Sequence, residues 1–192
     1  MANIAGGAGY DVLDGSSVDD IIVGYGYNDA LYGYEGNDFL VGDSGSDPAG
    51  NDYLFGGPGQ DTLTGGAGDD YLDGAFNGIK DFNYTNSVDN VDILTGGAGH
   101  DTFVLGNSSG SYYENLSGRI GFATITDFNT ADDYIQVSGI SEQYSLSTGT
   151  FGNYGFGTFI YANTNSGQTT SDLIAFVQGV SDLEPSRDFV FV

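Results

Sequence analysis

The chain has 192 residues and a formal net charge of −24, because 27 acidic residues are offset by only three basic ones. This charge disfavours nucleic acids and anionic membranes as partners, and the absence of cysteine from the sequence excludes disulfides and thiol chemistry. A hydrophobic content of 39% is too high for a disordered acidic tail. We therefore expect a folded chain that binds cations, since so much like charge opposes a compact state.

The N-terminal segment MANIAGGAGYD has neither the basic region nor the apolar region of a signal peptide. No stretch of the sequence reaches the roughly 20 apolar residues that span a membrane. We therefore expect either a cytosolic protein or one exported by a route that reads a different signal.

A unit of nine residues repeats from Gly6 to Val104. It is clearest in GGPGQDTLT and GGAGDDYLD, residues 56–73, with glycine at positions one, two and four, aspartate at six and leucine at eight. Nine units fit this register if loop insertions are placed near 43–49 and 74–90. Position six is always aspartate: Asp11, Asp20, Asp29, Asp38, Asp52, Asp61, Asp70, Asp92 and Asp101. Position eight is always large and apolar: Leu13, Ile22, Leu31, Leu40, Leu54, Leu63, Leu72, Leu94 and Phe103.

Each unit predicts a glycine-rich turn followed by a three-residue strand whose middle residue points inward. Such a unit cannot bury its apolar residue alone and must stack on its neighbours. Two units should complete one turn, so that odd-numbered units form one parallel sheet and even-numbered units the other, with right-handed crossovers. The sequence thus predicts an all-β fold, with a right-handed parallel β-roll over residues 1–104.

The aspartates and the glycine turns together predict calcium sites along the edges of the roll. Ca²⁺ takes about six to eight oxygen ligands, from carboxylates and backbone carbonyls. A glycine turn can present its carbonyls without a Cβ in the way, so one ion would lie between unit n and unit n+2. Nine units allow up to about seven ions, whose 14 positive charges would leave a net charge of about −10. The candidate ligands are the nine aspartates and the backbone carbonyls of Gly6, Gly24, Gly33, Gly56, Gly57, Gly59, Gly65, Gly66, Gly68, Gly96, Gly97 and Gly99.

The pattern G-G-x-G-x-D-x-U-x, in register over residues 6–104, resembles the RTX (hemolysin-type) calcium-binding nonapeptide repeat. The resemblance implies a calcium-binding β-roll. The segments TFVLGNSSGSYY and ATITDFNTADDYIQVSG also look like the C-terminal parts of secreted bacterial RTX proteins, with cyanobacterial examples most similar. The resemblance therefore implies an extracellular or cell-surface protein that leaves the cell by type I secretion.

Some units depart from the pattern. Unit two has Ser16 at position two, and unit three has Tyr25 and Tyr27 where glycines are expected. We expect sites that use Asp20 to be weaker than those that use Asp70, which lies in the best-matched stretch. For any single loop, a solvated acidic turn would be the simpler interpretation.

Residues 105–192 predict a β-rich cap that covers the last turn of the roll. Alternation of apolar and polar residues predicts short antiparallel strands in six segments: 122–128, 132–139, 143–151, 157–164, 172–180 and 187–192. The segment TDFNTADD could bind calcium through Asp127, Asp132 and Asp133, although a polar turn is the simpler interpretation. The final SRDFVFV places Asp188 before apolar residues, which fits a final strand and also resembles a type I secretion signal.

Catalytic motifs are scarce, and we expect no enzyme activity. His100 is the only histidine in the sequence and lies at a variable turn position. The neighbouring carboxylates Asp69 and Asp70 lie inside the repeat, where calcium binding already accounts for them. The sequence has no H-E-x-x-H zinc motif, G-x-S-x-G motif or phosphate-binding loop.

Positions seven and nine should point to solvent, yet Ile21, Val23, Phe39 and Val41 would then form an apolar patch on the even-unit sheet. Such a patch could bind another copy of the chain or a neighbouring domain, although apolar residues also simply suit strands. Three functions remain open: a calcium-folded secreted module, a structural or adhesive surface protein, and an accessory domain of an enzyme whose catalytic part lies elsewhere.

Overall fold

The structure is a computed structural model that describes residues 1–44, 48–75, 90–108, 110–111, 113, 121–163 and 171–192. The centre of the predicted insertion near 43–49 and most of the one at 74–90 lie outside the described residues. The repeat strands are β1 (Asn3–Ala5), β2 (Val12–Ser16), β3 (Ile21–Tyr25), β4 (Ala30–Tyr34), β5 (Phe39–Asp43), β6 (Tyr53–Phe55), β7 (Thr62–Ala67), β8 (Tyr71–Asp73), β9 (Asn90–Ala98) and β10 (Thr102–Val104). The later strands are β11 (Gly106–Asn107), β12 (Gly110–Ser111), β13 (Gly121–Ile125), β14 (Tyr134–Val137), β15 (Tyr144–Phe151), β16 (Gly155–Ala162), β17 (Asp172–Gln178) and β18 (Phe189–Phe191).

The strands of the repeat alternate between two parallel sheets, as the nine-residue period predicts. Among the described residues, one sheet has nine strands in the order β1-β3-β5-β7-β9-β13-β17-β16-β15, and the other has seven in the order β18-β14-β10-β8-β6-β4-β2. Even-numbered units supply β3, β5, β7 and β9, and odd-numbered units supply β2, β4, β6, β8 and β10. The repeat region is therefore a parallel β-roll with two units per turn.

The core of the roll is formed by the position-eight residues, which pair with one another along each sheet. In one sheet Ile22 pairs with Leu40 and Leu40 with Leu63. These side chains have no exposed surface, and the same holds for the other position-eight residues except Leu13, which is half-buried in the first turn. A single inward residue per strand is thus enough to form a continuous core, because each turn stacks on the next.

The predicted apolar patch on the even-unit sheet has the expected register. Ile21 lies beside Phe39 and Val23 beside Val41, on the adjacent strands β3 and β5. Phe39 is 44% exposed, whereas Ile21, Val23 and Val41 are half-buried. On the opposite sheet Tyr32 stacks on Phe55, with ring centroids 4.9 Å apart.

Both sheets continue past Val104 into the C-terminal region. Each of the six predicted segments contains a strand, and β15, β16 and β17 pair antiparallel as predicted. The antiparallel prediction is wrong for β13, β14 and β18, which extend the two sheets of the roll in parallel. We keep the division at residue 104 as a proposal, based on where the nine-residue period stops.

Helices are few in this part of the chain. One α-helical turn, α1 (Pro185–Asp188), precedes β18, and short 3₁₀ turns occur at Ser141–Gln143 and Gly152–Tyr154. Within the described ranges, no helix has the length and apolar character needed to cross a bilayer.

Candidate metal sites

The position-six aspartates stand in two columns, because successive units alternate between the two sheets. One column contains Asp11, Asp29, Asp52, Asp70 and Asp101, and the other contains Asp20, Asp38, Asp61 and Asp92. In each column, the backbone N–H of one aspartate donates to Oδ1 of the aspartate in the next turn, at 2.7–3.0 Å. Eight of the nine are at most 2% exposed, and Asp11 is half-buried.

The second carboxylate oxygen faces a small space at the first glycine of its own unit. A Cβ on Gly65 would lie under 3.0 Å from Asp70 Oδ2 and 2.7 Å from the carbonyl oxygen of Gly96. Both oxygens are acceptors, and Asp70 Oδ2 has no hydrogen-bond partner among the described residues. Two buried acceptors that face one space repel each other unless a proton or a cation lies between them.

The same space recurs along the roll, and we call it the cradle: it lies at the first glycine of a unit, between the Oδ2 atom of that unit's aspartate and a glycine carbonyl of the next turn. A Cβ on Gly42 would meet Asp52 Oδ2 and the Gly65 carbonyl at 2.6 Å, and a Cβ on Gly33 would meet Asp38 Oδ2 and the Gly56 carbonyl at 2.6 Å. Within the described part of the chain, buried Oδ2 atoms that lack a hydrogen-bond partner are found on Asp29, Asp38, Asp52, Asp70 and Asp101. These oxygens suit a hard cation such as Ca²⁺, and the first glycine leaves room for it.

The predicted glycine carbonyls fall into two structural groups. The carbonyls of Gly24, Gly33, Gly56, Gly65 and Gly96 each line the cradle of the preceding turn on the same edge. A second group of glycines at positions two and four has φ between 108° and 155°: Gly57, Gly59, Gly66, Gly68, Gly97 and Gly99. A Cβ on any of these would clash with the turn below, so they allow the turns to stack closely. Gly6 lies beside Asp11 in the first unit.

The sequence analysis missed three first-position glycines, Gly15 of unit two and the two that follow. Gly42 lies against Asp52, and the carbonyl of Gly74 lies 2.7 Å from a Cβ on Gly56, beside Asp61. Both stand at position one of units with loop insertions. Counting position one through the insertions would have found them, because glycine occupies it in every unit.

Burial changes the protonation of these carboxyls when no cation is present. It raises the pKa of Asp38 and Asp101 to about 6, that of Asp52 to about 7 and that of Asp70 to about 8. Desolvation is the largest cause at each residue, and the backbone N–H that donates to the carboxylate partly offsets it. Without a cation, Asp52 and Asp70 therefore hold a proton for much of the time near neutral pH, and a divalent ion would displace it.

The atypical units two and three keep the turn geometry in different ways. In unit two, the Ser16 hydroxyl donates to Asp20 Oδ2 at 2.6 Å, and this hydrogen bond lowers the pKa of Asp20. In unit three, Tyr25 and Tyr27 adopt φ of 80° and 71°, a region that costs a bulky residue about 1–3 kcal/mol. The stack therefore imposes the turn conformation even where the local sequence opposes it.

The segment TDFNTADD connects β13 to β14 and stacks on the last repeat unit. Asp127 accepts the backbone N–H groups of Gly96 and Gly97 through its two oxygens, at 2.9 and 2.8 Å. Asp133 continues the column after Asp101, whose N–H donates to its Oδ1 at 3.0 Å. No group of three or more acidic or histidine side chains converges within the described residues, so an ion there would need backbone oxygens as ligands. The hydrogen bonds of this segment fit a polar turn.

His100 lies at the surface of its turn. Its side chain is 62% exposed, and Nδ1 lies 3.0 Å from the backbone oxygen of Asp132. This contact links the last repeat to the segment TDFNTADD.

The repeat region matches a known family. The family model for the RTX calcium-binding nonapeptide repeat matches in four copies, at residues 3–22, 14–47, 49–76 and 89–109. Among solved structures, the chain is similar to the solution structure of the AlgE6R3 subunit from the Azotobacter vinelandii mannuronan C5-epimerase. That similarity has 22% identity and a TM-score of 0.37, and it covers 96% of this chain and 80% of the other. A comparison with curated protein sequences gives no significant match. The four family matches include residues of all nine units, and the repeat region of this chain thus belongs to the family of RTX calcium-binding nonapeptide repeats.

Proposed function

We propose that this chain is a non-catalytic calcium-binding module that folds when extracellular calcium binds, and that it is the C-terminal part of a protein exported by type I secretion. The observation that carries the proposal is the repeated cradle in which a buried Asp Oδ2 and a glycine carbonyl face the same space. A cation between these two acceptors removes their repulsion and neutralises the carboxylate.

The proposed ions lie between successive turns on each edge. At the Gly65 cradle, Asp70 Oδ2 and the Gly96 carbonyl would be ligands of the ion, and further oxygens would be needed to complete a calcium shell. Up to about seven ions fit the stack of nine units. Each turn then contributes to the site above it and the site below it, which makes binding cooperative.

Calcium binding is proposed to drive folding, because the repeat core consists of a single apolar residue per strand. Such a core is too thin to offset the burial of eight aspartates without cations. The test is far-UV circular dichroism in excess chelator and in millimolar calcium, with magnesium as the control. We expect a much larger β signal with calcium than in chelator or with magnesium, since Mg²⁺ demands a tighter octahedral shell. A β signal of equal size in chelator would contradict the proposal.

Export is the part of the proposal that rests most on family resemblance. In the fold, SRDFVFV forms α1 and β18, and the buried Asp188 pairs with Arg187 at 2.6 Å. A last strand of this kind and a secretion signal are compatible, because export precedes folding if folding waits for extracellular calcium. The test is whether residues 121–192 direct a fused reporter through a type I exporter.

A second candidate function is that of a structural or adhesive scaffold. It is favoured by the patch of Ile21, Val23, Phe39 and Val41, which lies on the outer face of the nine-stranded sheet. In this function the calcium-loaded roll is a rigid support, and the patch contacts a second copy of the chain.

A further inference from the structure

The last aspartate of its column, Asp92, differs from the interior aspartates in what faces its second oxygen. The hydroxyl of Tyr113 donates to Asp92 Oδ2 at 2.6 Å. Tyr113 is 5% exposed and Asp92 is 2% exposed, so this hydrogen bond lies in the interior of the molecule. At Asp70, by contrast, the corresponding oxygen has no such donor among the described residues.

The Tyr113 hydroxyl occupies the place that a carbonyl takes in the interior turns. A Cβ on Gly74 would lie 2.5 Å from Asp92 Oδ2 and 2.6 Å from the Tyr113 hydroxyl. At the equivalent Gly65, the second contact is the carbonyl of Gly96. A carbonyl can only accept a hydrogen bond, whereas a phenol can donate one. The pair of acceptors that attracts a cation is therefore replaced at Asp92 by a donor and an acceptor.

The pairing of the next strand shows why the column of aspartates ends at Asp92. The next strand, β13, pairs with β9 so that Ala123 lies beside Asp92. The following turn of the sheet therefore supplies no carboxylate at this position. At the other end of the column a hydroxyl also donates to the second oxygen, from Ser16 to Asp20 Oδ2, but there the Gly33 carbonyl remains beside Gly15.

The geometry points to Tyr113 as a built-in substitute for calcium at the end of this column: its hydroxyl satisfies Asp92, and no ion binds at the Gly74 cradle. The inference builds on the proposed calcium function, since it states which turn of the roll is excluded from calcium binding. The end of the repeat next to the C-terminal region is then held by a protein donor, and calcium occupies the turns before it.

The test compares Asp92→Asn with Asp70→Asn by counting bound calcium ions in equilibrium dialysis. The two positions are matched: each is 2% exposed, and each Oδ1 accepts the N–H of an aspartate one turn earlier, at 2.9 and 2.8 Å. We expect Asp92→Asn to bind as many ions as the wild type and Asp70→Asn to bind at least one fewer. Loss of an ion in Asp92→Asn would overturn the inference. A wild-type chain that binds no calcium would instead contradict the proposed function.

Tyr113→Phe provides an independent test if Asp92→Asn does not fold. It removes the hydroxyl and keeps the ring, so we expect a calcium count equal to that of the wild type or one higher. A count below that of the wild type would show that the hydroxyl is itself a calcium ligand, and would overturn the inference. In the calcium-bound wild type, the Tyr113 hydroxyl proton should also exchange slowly in NMR spectra, and its rapid exchange would count against the hydrogen bond.

Discussion

The repeat region and the C-terminal region share the same two sheets but are stabilised in different ways. In the repeat, each of the strands β3 to β9 contributes one fully buried apolar residue to the core. In the C-terminal region, β13 buries residues 122–125 in succession, and β17 buries residues 174–177. Aromatic rings add to this core, with Phe159 and Phe176 4.9 Å apart and Phe122 and Phe151 5.3 Å apart.

The two regions also differ in what neutralises the charge of a buried carboxylate. Asp188 is 1% exposed and lies against Arg187, with nitrogen–oxygen distances of 2.6 and 2.9 Å. Asp70 is 2% exposed, and its Oδ2 faces a carbonyl. Asp188 thus has a counterion on the neighbouring residue, whereas Asp70 needs one from solution. The difference indicates that the C-terminal region is the less calcium-dependent part of the fold.

The largest expected effect is a pH dependence confined to the metal-free repeat. Burial raises the pKa of Asp52 to about 7 and that of Asp70 to about 8, so the folded form holds more protons than the unfolded chain above pH 4. Its stability therefore falls as the pH rises from about 4 to about 8. In chelator, circular dichroism should show more β structure at pH 5 than at pH 8, and calcium binding at pH 7 should release protons. Equal spectra at the two pH values in chelator would exclude this linkage.

A smaller but still large effect is expected from Asp70→Ala. The substitution removes an acceptor from the Gly65 cradle and leaves the buried Asp52 N–H without its partner, at a cost of about 1–3 kcal/mol. The calcium concentration at the folding midpoint should rise roughly tenfold or more. Asp20→Ala is the matched control, because Ser16 already satisfies Asp20 Oδ2. Equal damage from both substitutions in a calcium titration would refute the ranking of the two sites.

A change at glycine tests the cradle without removing a charge. Gly65→Ala places a Cβ under 3.0 Å from both Asp70 Oδ2 and the Gly96 carbonyl, where the ion is proposed to bind. Gly7→Ala is the control, since its Cβ would meet only Asp11 Oδ2, at 3.9 Å. Calorimetry should show weaker calcium binding in Gly65→Ala and a change within about 0.5 kcal/mol in Gly7→Ala. A Gly65→Ala chain with wild-type affinity would place the ions elsewhere.

The smallest effect on folding is expected on the outer face of the repeat. Lysine in place of Ile21 and Phe39 leaves the edges of the roll unchanged, so calcium-induced folding should persist. Sedimentation should show that any self-association of the calcium-bound wild type is lost. A wild type that stays monomeric at high concentration would remove the support for the scaffold function.

The fixed period explains why so much of the repeat could be read from the sequence. With aspartate at position six and an apolar residue at position eight, the columns and the core pairing of Ile22 with Leu40 follow directly. Beyond Val104 the period is lost, and alternation alone located β13 and β14 but could not give their parallel direction. The hydrogen bond from Tyr113 to Asp92 could not be predicted from the sequence, because Tyr113 lies outside the repeat and the nine-residue period does not fix its position.

Residue-resolved hydrogen exchange at pH 8, in calcium and in excess chelator, tests the central claim most directly. The account predicts that the backbone amides of Asp52, Asp61 and Asp70, which donate along the columns, are protected in calcium and exchange rapidly in chelator. Amides of β16 and β17 should keep most of their protection in both solutions. Equal protection of the repeat amides with and without calcium would contradict the claim that the cations hold the roll together.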